Sequence, residues 1–296
     1  MDTTPTTSRD LHTYRRLTRL RNQQHLVVAA TVMLAALAVT GQTAVTIAGN
    51  LPFEPVSGLS ILTAVFSLVT PLAVSTAAIA TGSATDNPTV RIGLLFIAAF
   101  SIVGSISSAA VLPAVLGVTM GGGVSLYGGL THTDEPVSVR RLLLVGSVLV
   151  GTAVSLGGTI GITPGGSHTV GVGATVTAIA LLAVELPVDH RSLVGGSIVA
   201  AGVVWVSIAA PFAAGATLLV GFGITHLSVV IVALAIGGAV AALLSGIQTR
   251  AVIPVAGTGL CLFAGIPATP TTAAALLVGV TVVIHRTALR PQEGSA

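Results

Sequence analysis

Few side chains of this 296-residue chain are equipped for chemistry. Cys261 is the lone cysteine, which excludes paired-thiol redox chemistry and a disulfide scaffold, and it reads as a small apolar residue. The seven histidines fall at the ends of apolar runs or in tails and turns. His168, His226 and Glu54 could meet as a metal or proton site, but their spacing matches no ligand motif, so interfacial histidines are expected and no metal. The chain contains no His-Glu-x-x-His, no Gly-x4-Gly-Lys loop, no dinucleotide fingerprint and no paired carboxylates. Ser167 is adjacent to His168 in sequence, which is not how a nucleophile meets its base. No residue is assigned a catalytic role, and neither enzyme activity nor a cofactor is expected.

Backbone atoms are the remaining candidates. Thr169-Val-Gly-Val-Gly173 resembles a potassium-channel selectivity filter. The fourteen residues between it and Val188 would make about 21 Å of helix, too little to cross a hydrocarbon core of about 30 Å, and the channel reading is rejected. Pro71 and the run Gly121, Gly122 and Gly123 lie inside long apolar stretches, where a broken helix would expose carbonyls and amides to a solute at mid-depth. Thr70, Pro71, Thr119, Gly121, Gly122, Gly123, Ser125 and Tyr127 are the solute-binding candidates. The pairs Gly117 with Gly121 and Gly157 with Gly161, and the set Gly238, Ala242 and Gly246, follow the small-x-x-x-small rule for touching helix backbones.

These candidates must be positioned by a chain that is 53% hydrophobic and 7% charged, against about 25% charged in an ordinary soluble domain. That composition excludes a water-soluble globule and a disordered chain. It predicts an all-α, polytopic membrane protein, with the bilayer as its principal partner. All twelve basic residues are arginine, in six groups: Arg9 to Arg21, Arg91, Arg140 with Arg141, Arg191, Arg250, and Arg286 with Arg290. The gaps of 35 to 69 residues each hold two crossings, which predicts five helical hairpins and about ten transmembrane helices. The expected spans are 26–48, 59–81, 92–109, 112–130, 142–161, 169–187, 192–211, 227–248, 251–265 and 271–285. Every arginine then lies on one side, which the excess of basic residues in cytoplasmic loops makes the inside, with both termini cytoplasmic in the cell membrane. The net charge of +3 therefore reports topology and lipid contact, and no nucleic-acid partner is expected. Residues 212–225 are apolar but too short to span, and are read as lengthening two tilted helices, with a re-entrant segment as the alternative.

The chain divides into a cytoplasmic tail, residues 1–24, a transmembrane domain, 25–286, and a second tail, 287–296. Within the first tail Leu11, Tyr14, Leu17 and Leu20 oppose Arg9, Arg15, Arg16, Arg19 and Arg21, the pattern of a short interfacial helix against anionic lipid. Three inner loops share an acid-x-Pro motif ahead of arginine: Asp86, Pro88 and Arg91; Asp134, Pro136 and Arg140; Glu185, Pro187 and Arg191. An acid that caps free amides and a proline in the first turn open a helix well, so each motif is expected to start one hairpin of a repeat. The motif is also the place where a membrane or cytoplasmic protein partner would dock.

The exclusive use of arginine, the richness in Ala, Val, Gly and Thr, and loops such as Thr133-Asp-Glu-Pro-Val-Ser-Val-Arg-Arg141 resemble uncharacterised multispan membrane proteins of salt-loving archaea. In size and span count the chain is similar to the drug and metabolite transporter superfamily, which implies two inverted five-helix halves, whereas the acid-x-Pro repeat implies hairpins related without inversion. The leading functional expectation is a small-solute permease, or the membrane subunit of one, for a neutral or weakly polar ligand. The alternative is a non-transporting scaffold that assembles partner proteins. A polar cavity near Pro71 and Gly122 would mark the first, and a solid glycine-packed interior the second.

Overall fold

The computed structural model describes residues 8–51, 58–131, 137–164, 167–184, 188–221, 228–249 and 251–285. Among them every regular element is helical: α1 (Ser8–Gly49), α2 (Leu59–Ala84), α3 (Pro88–Ile106), α4 (Val111–Thr131), α5 (Val139–Thr159), α6 (Ser167–Val184), α7 (His190–Ala209), α8 (Pro211–Gly215), α9 (Val229–Gln248), α10 (Val252–Ala264) and α11 (Pro270–Ile284). A short 3-10 turn, Ser108–Ala110, precedes α4, and a π-helical segment, Ala216–Gly221, follows α8.

The ten longer helices pair as α1 with α2, α3 with α4, α5 with α6, α7 with α9 and α10 with α11. These are the five hairpins expected from the arginine groups. Their contacts run in opposite chain order, so each pair is antiparallel: Gly93 meets Gly121 and Ser125 while Gly104 meets Ala114, and Gly151 meets Thr175 while Gly157 meets Thr163. Because each hairpin returns to the end where it began, Arg91, Arg140, Arg141 and Arg191 share one end of the bundle. Among the described residues seven helices are long and apolar enough to cross a membrane, and the apolar stretches Thr169–Ala183, Val252–Ala264 and Pro270–Ile284 are shorter.

The shortness of α11 follows from where it sits. Its 15 residues make about 22 Å of helix, and apart from Thr272 every residue from Pro270 to Ile284 is buried, with α1, α2, α3, α4, α5 and α10 around it. A helix apolar on all sides belongs inside, and one encased by protein has no lipid thickness to match. Its start is built by a capping box, in which Thr269 and Thr272 exchange hydrogen bonds ahead of Pro270.

Two expectations are corrected. The basic N-terminal stretch is no separate interfacial helix: α1 runs unbroken for 42 residues, about 63 Å, because no glycine or proline interrupts the chain from Ser8 until Gly41. The side chains of Arg9 to Arg21 lie outside the described residues, as do the tails 1–7 and 287–296. Likewise α7 and α9 do not extend into residues 212–221. The chain breaks at Ala210 (φ −138°, ψ 67°) and forms α8 and the π segment, which pack back on α7 and on α1.

Candidate functional site

The acid-x-Pro motif opens helices by a different residue from the one expected. At α3 the cap is Asn87, whose Oδ1 accepts from the backbone N–H of Thr89 (2.9 Å) and Val90 (3.4 Å), with Pro88 at the first helical position. Asn87 is buried, and its Nδ2 donates to the Gly128 carbonyl on α4 (2.9 Å), which ties the two ends of the hairpin together. Asp86 and Arg91 are exposed beside it. Ser138 caps α5 and Asp189 caps α7, each accepting from the backbone N–H three residues on. Asp134, Pro136, Glu185 and Pro187 lie outside the described residues. The caps at 87, 138 and 189 are each 51 residues after the one before, so α3, α5 and α7 start a true repeat whose marker is the cap. Hydrogen bonding from Ser192 holds the exposed Asp189 carboxyl below its ordinary pKa.

The solute-binding candidates sit in unbroken helices. Pro71 removes one i→i−4 bond, yet α2 continues through it to Ala84. Pro71 is buried beside Thr70, whose hydroxyl reaches the Ala38 carbonyl of α1 at 3.4 Å. One turn on, Ser75 donates to Ala98 of α3 at 2.9 Å. Along α4 the three glycines point three ways. A methyl on Gly121 would lie 2.7 Å from the Gly93 carbonyl, one on Gly122 would lie 2.6 Å from the Leu277 side chain of α11, and one on Gly123 would meet nothing within 4 Å. Ser125 is buried, donates to the Gly122 carbonyl (3.0 Å) and meets the Thr281 hydroxyl of α11 (3.2 Å). Thr119 is half-buried and bonded to Val115, and Tyr127 is exposed. Thus Gly121, Gly122 and Ser125 join α3, α4 and α11, Thr70 and Pro71 belong to the α1–α2 seam, and Tyr127 faces outward. Leu277 and the backbone of α3 occupy the places where a solute would touch Gly121 and Gly122, while the space at Gly123 is open.

Glycine packing recurs in the other hairpins. Gly171 lies on Ser155 and Gly151 on Thr175 between α5 and α6, and Gly196 lies on the Gly237 carbonyl between α7 and α9. The small-x-x-x-small sets play mixed parts: Gly117 lies under the Phe100 ring and Gly246 against Val255, while Gly161 (φ 74°) closes a turn. Residues 169–173 are helical within α6. Glu54 and His226 and the side chain of His168 lie outside the described residues, and among those described no group of His, Cys, Asp or Glu could hold a metal.

A cavity of about 550 Å³ lies elsewhere, between α7, α8, the π segment, α9 and α10. Val203 and Val206 of α7, Leu218 of the π segment, Val240 of α9 and Phe263 of α10 typify its walls. Apolar side chains carry no motif, so nothing in the residue types marked it. The only hint was the stretch 192–249, which has no charged residue and fits the hairpin plan least well.

No curated protein and no solved structure matches the chain. A family profile matches residues 27–284, the whole bundle from the first apolar turn of α1 to the end of α11. The chain belongs to the integral membrane family of unknown function DUF8068.

Proposed function

We propose that this multispan membrane protein is a non-transporting scaffold, a bundle closed around α11 that presents its outer helix faces and its arginine-bearing turns to other components of the membrane. The observation that carries this reading is the filling of the space around Gly121 and Gly122 by Leu277 and by the backbone of α3, at the depth where a permease of this design would hold its solute. The exposed Asp86 and Arg91, next to a cap locked by Asn87, supply a fixed polar corner for a cytoplasmic partner. In this reading both termini and all arginines are cytoplasmic, the basic start of α1 meets anionic headgroups, and no catalysis is involved.

Gly122→Leu tests it. A leucine has no room against Leu277, so the variant should lose thermal stability in detergent. Unfolding can be followed with a fluorogenic thiol reagent, since Cys261 is the one thiol and is buried. Vesicles containing the native protein should pass glycerol, urea and small neutral amides no faster than empty vesicles in osmotic-shrinkage measurements. A Gly122→Leu protein as stable as the native one, combined with native flux above background that the variant abolishes, would replace the scaffold by a permease.

A further inference from the structure

The third hairpin of the 51-residue repeat departs from the other two at one place. The turn between α3 and α4 spans residues 107–110, and that between α5 and α6 spans 160–166, whereas α7 and α9 are joined by residues 210–228, with α8 and the π segment among them. The cavity lies beside this insertion. π-helical turns are rare and cluster at functional sites, and here Thr217 and Leu218 of the π segment form one wall.

We propose that this cavity is a binding site for one hydrocarbon chain of a membrane lipid. Its lining carries no charge, and its two side-chain hydroxyls are already bonded within their own segments, Ser207 to the Val203 carbonyl and Thr217 to the Ala213 carbonyl, both at 2.8 Å. A polar ligand would find no free side-chain donor there, and a hydrocarbon leaves none unsatisfied. The cavity is partly open, and α7 is the least buried of the membrane-length helices, with Trp205 and Ile208 exposed on its outer side, so entry is from the bilayer. Along α7 the lining runs from Val199 to Ser207, about 12 Å, close to the roughly 15 Å depth of one leaflet's hydrocarbon. The lined part is the half of α7 farther from Arg191, which assigns the chain to the leaflet opposite the arginine-bearing turns. Size selects the occupant further. A helix of that length, about 10 Å across, needs roughly 900 Å³, whereas 550 Å³ suits a single chain whose width is set by carbon contacts of about 4 Å.

The test uses the full chain in nanodiscs containing a phospholipid with a mid-chain diazirine, irradiated and mapped by peptide mass spectrometry. Labelling of Leu262 and Phe263, and of α7 from Val199 to Ser207, should saturate as the probe fraction rises. Labelling of the outward residues Ile61, Leu68 and Leu72 of α2 should rise linearly, as expected for lipid that merely surrounds the bundle. Gly202 lines the cavity and has open space where a side chain would go, so Gly202→Phe should fill it and cut the Leu262 and Phe263 label at least fivefold without lowering the melting temperature. Val206→Trp fills it from the same wall and serves if the first variant unfolds. Linear labelling that a folded variant leaves unchanged would overturn the proposal. So would an unlabelled cavity in a protein whose copies crosslink through α7, which would make the occupant a second chain.

Discussion

The α3–α4 and α7–α9 hairpins start from equivalent caps and end up with different interiors. Near the arginine-bearing end both are tight: Gly93 touches Gly121, and Gly196 touches Gly237. Toward the other end α3 and α4 stay together, with Gly117 under Phe100 and Gly104 against Ala114, while Gly202 on α7 faces open space. The turn after α3 is short, whereas the long connection after α7 brings Ala214, Thr217 and Leu218 in as cavity walls. In a bilayer lipid tails are as apolar as leucine, so helices stay in contact only where small residues or short turns bring them close. One hairpin is thus a packing unit, and the other is a packing unit at one end and a container at the other.

That contrast can be broken most sharply at Gly93. Leucine there would be driven into the backbone of α4, and Gly93→Leu should lose more than about 3 kcal/mol and fail to accumulate in membranes, read by immunoblot of the membrane fraction. Next in size are Gly196→Ala and Asn87→Ala. The first sets a methyl against the Gly237 carbonyl and the Ala241 methyl and should cost about 1–3 kcal/mol. The second removes a cap and the shorter of two side-chain hydrogen bonds to the Gly128 carbonyl, which keeps the Thr131 hydroxyl at 3.4 Å, for about 1–2 kcal/mol. Both should appear as earlier exposure of Cys261 on heating. Six residues further along the same helix, Gly202→Ala should melt at or slightly above the native temperature, since alanine favours helix by up to about 1 kcal/mol and meets no neighbour. A loss there as large as at Gly196 would erase the distinction between the two ends of α7.

The hairpin plan was legible because arginines avoid hydrocarbon and therefore mark every return to one surface. The opening of each helix was legible only in part. Asp86 and Pro88 suggested a cap at the right place, but the choice between Asp86 and its neighbour depends on which side chain folds back over the first turn, and Asn87 alone can also donate to Gly128. Asp86→Ala should accordingly stay within about 0.5 kcal/mol of the native protein. The even 51-residue spacing was hidden for the same reason, since Asn, Ser and Asp share a capping role without sharing a letter. The triple glycine suggested a break, yet residues about 100° apart on a helix face different neighbours, and Gly121 and Gly122 each found one close enough to exclude a side chain. Which neighbour comes that close is decided by tertiary packing and leaves no trace in local sequence.

The smallest expected effect concerns pH at the third cap. Ser192 holds the Asp189 carboxyl below its ordinary value of 3.8, so the stabilisation it lends is present at neutral pH and fades as the pH falls through the lowered folded pKa. The melting temperatures of native protein and Asp189→Ala should therefore differ slightly at pH 7, and the difference should shrink as the pH falls below 3.8.

The position of α11 has a consequence for how the protein is made. The ribosome delivers α1 to α10 first, and the helix that α1 to α5 and α10 surround follows them. Until it inserts, Gly122 has no Leu277 beside it and Ser125 has no Thr281. The earlier hairpins lack these contacts until one 15-residue helix arrives and completes the packing. A chain cut before Pro270 should accordingly be cleared from the membrane faster than the full chain, as a pulse-chase of the membrane fraction would read.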